Sequence, residues 1–145
     1  MGHSQGGLST KIHLRAEGGG KPMVLLITAG QRHEQTMVEP LMEQGAVKRA
    51  RGGRPRLRPK RVAGDKGYSG RKVRRYLRRR GIGAVIARQK RERRTRFDKA
   101  AYRKRTVVER LVNRLKQFRR VATRYEKRAV NYLAMLTIAA IVLWL

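Results

Sequence analysis

The hydrophobic pattern of this chain changes period several times, and each change marks an element. Across residues 8–15 apolar and polar positions alternate, the period-two signature of a half-buried strand. Gly18-Gly19-Gly20 supplies a turn, and residues 22–28 form a continuous apolar run, so the two runs predict an antiparallel hairpin. No patterned segment precedes this hairpin, which is therefore expected to lack a strand to pair against on that side. Residues 33–44 predict a helix with Met37, Val38, Leu41 and Met42 inward, bent or ended early by Pro40. A short strand over 61–65 ends on an acid. Ser69 is the predicted N-cap of a helix reaching Arg80, closed by Gly81 or Gly83. Residues 82–87 read as the next strand. Asp98 is placed to cap a long helix, residues 121–124 to form a loop, and a last helix to begin near Glu126. The order β-β-α-β-α-β-α-α implies an α/β sheet of mixed strand directions.

The long helix carries the most unusual pattern. Laid out at about 100° per residue, Tyr102, Arg105, Glu109, Asn113 and Lys116 share one stripe. Val107, Val108, Leu111, Leu115 and Phe118 fall on the opposite side, the stripe that would seek a core. The plain reading of the polar stripe is a solvated face on which Arg105 pairs with Glu109 four residues on. Asp65, followed by Lys66-Gly67-Tyr68, stands where a strand meets a loop, and ligand sites in open α/β sheets gather outside the carboxyl ends of strands. The plain reading there is an aspartate shaping a turn. Together, one acid at a strand end and one within a cationic stripe suggest a site for a hard metal ion. Carboxylate-held magnesium ions can clamp the attacking and leaving oxygens of an in-line phosphoryl displacement.

Composition sharpens this. The 145 residues suffice for one domain, and 38 Lys plus Arg against nine Asp plus Glu leave a formal charge of +29. Such an excess attracts polyanions, and a phosphate backbone that releases condensed counterions is the obvious counterpart. With 40% hydrophobic residues in clear runs, the chain does not read as disordered. Two cationic loops are expected, over 48–61 and 88–96. The absence of cysteine excludes disulfides and thiolate chemistry and fits a reducing cytoplasm. No apolar leader opens the sequence. The apolar stretch 129–145 is short for a bilayer and is expected to be a buried helix, with Tyr132 and Trp144 as core aromatics. His3, His13 and His33 show no ligand spacing and read as surface or strand positions, and the glycine triplet has neither neighbour of a phosphate loop.

At this point the residues resemble a known family, the DDE transposases of bacterial insertion sequences. Asp65-Lys66-Gly67-Tyr68 is similar to the family's strand-end Asp followed by Gly-Tyr. Tyr102, Arg105, Glu109 and Lys116 match its helix signature of Tyr, two residues, Arg, three residues, Glu, six residues, Lys. The stretch 6–12 resembles the strand that follows the family's first catalytic Asp, and the resemblance runs from there to the terminal helix. It implies an RNase-H-like mixed sheet flanked by helices, incomplete at its N-terminus because the first strand is missing. Residues 1–145 would be a partial catalytic domain, with 6–87 forming the sheet and 98–145 the C-terminal helices. Asp65 and Glu109 would be the second and third acids, catalytic residues holding two Mg2+ ions. Tyr102, Arg105 and Lys116, with Asn113, Lys66 and Tyr68, would meet DNA. The family's first Asp has no counterpart, because Asp65 is the first aspartate in the sequence, and Glu17 and Glu34 fall in the wrong place.

Three functions follow as expectations. One is DNA transposition by the C-terminal part of a DDE transposase, inactive alone, which is either the second reading frame of an element whose full enzyme arises by frameshifting, with the product of the upstream frame as partner, or a truncated remnant. Its partners would be transposon ends and target DNA, with a homo-oligomer in the complete enzyme. The second is a basic nucleic-acid-binding protein without catalysis, in which Asp65 and Glu109 are structural. The third is a membrane-surface protein with its last helix inserted.

Overall fold

The computed structural model describes residues 2–4, 7–46, 52–87 and 98–145. Five strands and six helices occur among them: β1 (Gly2–Ser4), β2 (Gly7–Ala16), β3 (Pro22–Ala29), α1 (Val38–Glu43), β4 (Arg61–Gly64), α2 (Arg71–Arg79), β5 (Gly83–Ile86), α3 (Lys99–Arg103), α4 (Thr106–Lys116), α5 (Arg119–Ala122) and α6 (Ala129–Val142). Short 3-10 turns, Glu34–Met37 and Lys66–Tyr68, precede α1 and α2. The expected α/β character is present, but the strands form two sheets and not one mixed sheet. One sheet is antiparallel, in the order β1-β2-β3, and the other is the parallel pair β4-β5. The chain divides into two units, one made of residues up to Arg32 and from Val107 onward, the other of His33–Thr106. Of the two cationic loops, 48–51 and 88–96 lie outside the described residues.

In the first unit the predicted hairpin forms, with Ile12 opposite Ile27 and Leu14 opposite Leu25. The expectation that it lacks a neighbour is corrected: Gly2–Ser4 pairs with β2, Gly2 opposite Ser9. Three small or polar residues gave no apolar period to read, yet backbone pairing needs none. Leu14, Ala16, Leu25 and Ile27 share one face and pack against Leu111, Leu115, Val121, Tyr132, Leu136 and Ala139. His13 points the other way and is buried, its Nε2 2.8 Å from Thr28 Oγ1. The loop expected over 121–124 is corrected: Val121 and Ala122 complete the short helix α5. Its Val121 is buried, and its carbonyl accepts from the Tyr132 hydroxyl at 3.0 Å.

Helix α6 packs on β3 and buries Tyr132, Leu136, Ala139 and Ala140, while Val130, Ile138, Ile141 and Val142 stay exposed. Tyr132 is the core aromatic expected, but Trp144 is not. It lies past the end of α6 and is 46% exposed. Its indole N–H donates to the Pro22 carbonyl, and the Lys21 ammonium lies 4.9 Å from the ring centre. No helix among the described residues is long and apolar enough to cross a membrane.

In the second unit β4, α2 and β5 make a parallel βαβ module, since parallel neighbours require a crossover. Helix α2 reads Arg71-Lys72-Val73-Arg74-Arg75-Tyr76-Leu77-Arg78-Arg79, and its apolar positions recur at the helical spacing of three and four. Val73, Tyr76 and Leu77 are buried with Val38, Met42, Ile82 and Ile86. Ser69 does not cap this helix. Gly70 takes the cap position, and Ser69 is buried at the end of the preceding 3-10 turn. At the other end, Gly81 adopts φ 63°. Its N–H donates to Arg78 O at 2.9 Å and that of Ile82 to Leu77 O at 2.8 Å, the paired closure that favours glycine. Pro40 neither breaks nor ends its helix. The 3-10 turn carries the chain to Met37, so α1 begins at Val38 and Pro40 lies in its first turn, where an N–H has no partner to lose.

Candidate metal and DNA site

Asp65 leaves the end of β4, and the parallel register sets Gly64 beside Ile86. Asp65 and Ala87 therefore emerge from the same carboxyl edge of the pair. The Asp65 side chain is exposed, and Oδ1 accepts from the Lys66 N–H at 2.6 Å. That bond holds the carboxylate at the head of the Lys66–Tyr68 turn. Lys66 is exposed, whereas Tyr68 is half-buried against the α1–α2 core. The Tyr68 phenol is held above its ordinary pKa, first by burial and then by the charges of Glu34 and Asp65.

Glu34 and Arg74 were not legible as site neighbours. The 3-10 turn bearing Glu34 packs against the Lys66–Tyr68 turn, and its carboxylate comes up to Gly67. Arg74, inside α2, donates to Ser69 O at 3.3 Å, Ile86 O at 3.1 Å and Ala87 O at 3.4 Å. It thereby ties the carboxyl end of β5 to the loop after Asp65. Its place in a run of cations hid it: only the packing of α2 on β5 distinguishes it from its exposed neighbours.

On α4 the stripe is as expected over its own length. Leu111 and Leu115 are buried, while Glu109, Asn113 and Lys116 are exposed on the other side. Farther back the expected single helix is corrected. Helix α3 stops at Arg103, and Lys104-Arg105 form a turn before α4 begins at Thr106. The Thr106 hydroxyl donates to the Arg103 carbonyl at 3.1 Å, and the β-branched run Thr106-Val107-Val108 follows. Both features favour restarting a helix over continuing one. Arg105 stays close to Tyr102, its guanidinium 4.9 Å over the ring centre. Asp98 caps α3 as predicted, accepting from the Ala101 N–H at 2.8 Å, and is bonded to Arg61 at 3.0 Å. The Ala101 N–H, and after it Arg61, hold the Asp98 carboxyl below its ordinary range.

The structure thus brings Tyr102 to Arg105, and Asp65 to Lys66 and Tyr68. Asp65, Lys66, Tyr68, Tyr102 and Arg105 belong to the second unit, Glu109, Asn113 and Lys116 to the first. Among the described residues no three His, Cys, Asp or Glu side chains gather as a metal site.

Residues 2–145 match the family described as "Transposase DDE domain". The chain belongs to the DDE transposase family. A relative from Burkholderia cepacia, "Putative transposase for insertion sequence element IS402", is 36% identical over 120 residues. That alignment covers 83% of this chain and 55% of the relative, so this DDE transposase chain spans little more than half the relative's length. No solved structure matches it. Asp65, Glu109 and the Tyr102–Lys116 signature all fall inside the matched family region.

Proposed function

We propose that this chain serves DNA transposition, binding DNA and contributing Asp65 and Glu109 as two of three acidic metal ligands for strand cleavage and transfer. The observation that carries this reading is Asp65, exposed at the carboxyl edge of a parallel strand pair in a chain of the DDE family. The donor chemistry fits: exposed carboxylate oxygens suit a hard divalent cation such as Mg2+, and the sequence has no cysteine to offer a softer ligand. When bound, such ions activate the attacking oxygen and stabilise the leaving one. Asp65 and Glu109 would converge in an RNase-H-like arrangement, with residues 1–145 as part of one catalytic domain. The Lys66 N–H keeps one Asp65 oxygen in place, leaving the other for the metal.

Tyr102, Arg105, Asn113 and Lys116, with Lys66 and Tyr68, would lie along the DNA. Arginine and lysine beside the acids bind phosphate and offset carboxylate repulsion. The first acid of the triad would be supplied from outside residues 1–145, by a longer form of the chain or by the product of an upstream reading frame. The complete enzyme would be a cytoplasmic homo-oligomer acting on transposon ends and target.

The test is Mn2+ titration followed by water-proton relaxation, with the chain, Asp65→Asn and Glu109→Gln. Weak binding lost in both variants supports a shared site. Binding untouched by either variant removes both residues from it.

A further inference from the structure

The outward side of α2 is made of cations. Val73, Tyr76 and Leu77 are buried, and Arg74 is engaged on the carbonyls of Ser69, Ile86 and Ala87. That leaves Arg71, Lys72, Arg75, Arg78 and Arg79 exposed. Arg71, Arg75, Arg78 and Arg79 recur at the spacing of three and four that puts side chains in one row. At a rise of about 1.5 Å per residue the row spans about 12 Å. Because α2 returns from the end of β4 to the start of β5, the row begins near the edge that carries Asp65 and runs away from it.

Nothing within the helix offsets this charge. No acid occurs between Asp65 and Glu92, so α2 has no carboxylate at the spacings that form helical ion pairs. Arg71 repels Arg75, and Arg75 repels Arg79, each four residues on. Arg71 and Lys72 also stand in the first turn, at the positive end of the helix dipole, with neither an acid nor a side-chain cap there. Lys72 alone of the five lines a concavity with a carboxylate, that of Glu39, and is left out of the row. Burial of Val73, Tyr76 and Leu77 thus holds α2 together against an electrostatic disadvantage. A polyanion laid on this face would remove that disadvantage.

We propose that the outer face of α2, through Arg71, Arg75, Arg78 and Arg79, binds the phosphate backbone of duplex DNA. This rests on the reading of DNA as the chain's ligand, and adds which surface holds it. A guanidinium forks onto two phosphate oxygens, a geometry that an ammonium does not match. Phosphates of one strand follow about every 3.4 Å along the duplex axis, so a row of about 12 Å meets more than one of them. Such contacts position the duplex and carry no sequence information.

The experiment measures binding of the intact chain to labelled duplexes by anisotropy, in chelator, from about 50 to 200 mM salt. Arg71→Gln/Arg75→Gln/Arg79→Gln should lower the slope of log affinity against log salt by about three and weaken binding about a hundredfold. The loss should be the same on two duplexes of unrelated sequence. Arg71→Lys/Arg75→Lys/Arg79→Lys keeps the charge and should recover most of the slope. Without DNA, in low salt, the glutamine variant should melt no lower than the wild type, because self-repulsion is removed. The sequence has no cysteine, so a photoreactive group on Arg75→Cys reports contact without background. It should cross-link duplex, whereas the same group on Ile138→Cys, exposed on the uncharged helix α6, should not.

An unchanged slope in the glutamine variant overturns the proposal and leaves DNA binding itself in place. So does cross-linking from Ile138→Cys as strong as from Arg75→Cys, or a loss confined to one duplex. Polyglutamate that displaces duplex at equal charge concentration would make this a general polyanion surface, and overturns it as well. If the glutamine variant does not fold, the cross-linking comparison decides alone. A wild-type chain that ignores duplex removes the DNA reading and this face together. With metal chelated throughout, none of these results bears on Asp65 and Glu109.

Discussion

The Arg105 guanidinium lies 4.9 Å over the Tyr102 ring, so two members of the spaced signature touch across a helix break. On a continuous helix they would be neighbours three apart on one face. Here the Lys104-Arg105 turn lets the cation fold back over the aromatic ring, and α4 starts afresh with Glu109 on its exposed side. Such contacts at exposed sites contribute about 0.5–1 kcal/mol. Tyr102→Leu should therefore lower the melting temperature only slightly. If Arg105 also meets phosphate, Arg105→Gln should weaken DNA binding several-fold and reduce its salt slope by about one. A large melting shift with unchanged binding would make the pair purely structural.

Metal-dependent chemistry should need more than this chain. In the DDE reading a first acid must join Asp65 and Glu109, and small misplacements at such a centre cost about a hundredfold in rate. Strand cleavage and joining should be absent from the chain alone, present in a fusion with the upstream frame, and lost again in that fusion with Glu109→Gln. Activity of the chain alone would refute the fragment reading.

With a formal charge of +29, affinity for duplex DNA should fall steeply as salt rises. A plot of log binding constant against log salt should be linear over 50–200 mM, with a slope of several units. A flat response would show that the exposed cations do not meet phosphates.

Leu136 is fully buried between α6 and the hairpin, whereas Ile138 on the same helix is 55% exposed. Leu136→Ala should cost about 2–5 kcal/mol through lost transfer energy and a cavity. Ile138→Ala should stay within about 0.5 kcal/mol of wild type. Urea melts of both variants decide this, and equal losses would contradict the packing of α6.

The acid limb of stability should carry a mark of Asp98. Its carboxyl is depressed, first by the Ala101 N–H and then by Arg61. A depressed acid stabilises the fold above its unfolded value, about 3.9, and that contribution is lost as pH falls through the lower folded value. Glu17 acts with the same sign through the Lys21 N–H at 3.0 Å. Melting temperature between pH 6 and 3 should thus fall less steeply in Asp98→Asn than in wild type. Parallel curves would place the acid sensitivity elsewhere.

What the sequence determined by itself was local. The alternation over 8–15, the apolar run over 22–28 and the glycines between them specify β2, β3 and their register. The three-and-four spacing of Val73, Tyr76 and Leu77 specifies α2, and the signature spacing specifies which side of α4 shows Glu109. These depend on neighbours within a few residues, and periodicity records them. Long-range contacts leave no such trace. Pairing of Gly2–Ser4 with β2, burial of Ser69, the approach of Glu34 to Gly67 and the grip of Arg74 on Ile86 all join residues whose own surroundings in sequence are unremarkable. The break at Lys104-Arg105 sets two shorter hydrogen-bond ladders in place of one continuous ladder, with the Thr106 hydroxyl donating to the Arg103 carbonyl between them. The distribution of Asp65 and Glu109 over two units was likewise the tertiary structure's decision. A period along the chain fixes which face a side chain shows, whereas its spatial neighbours depend on how separate elements bury their apolar faces.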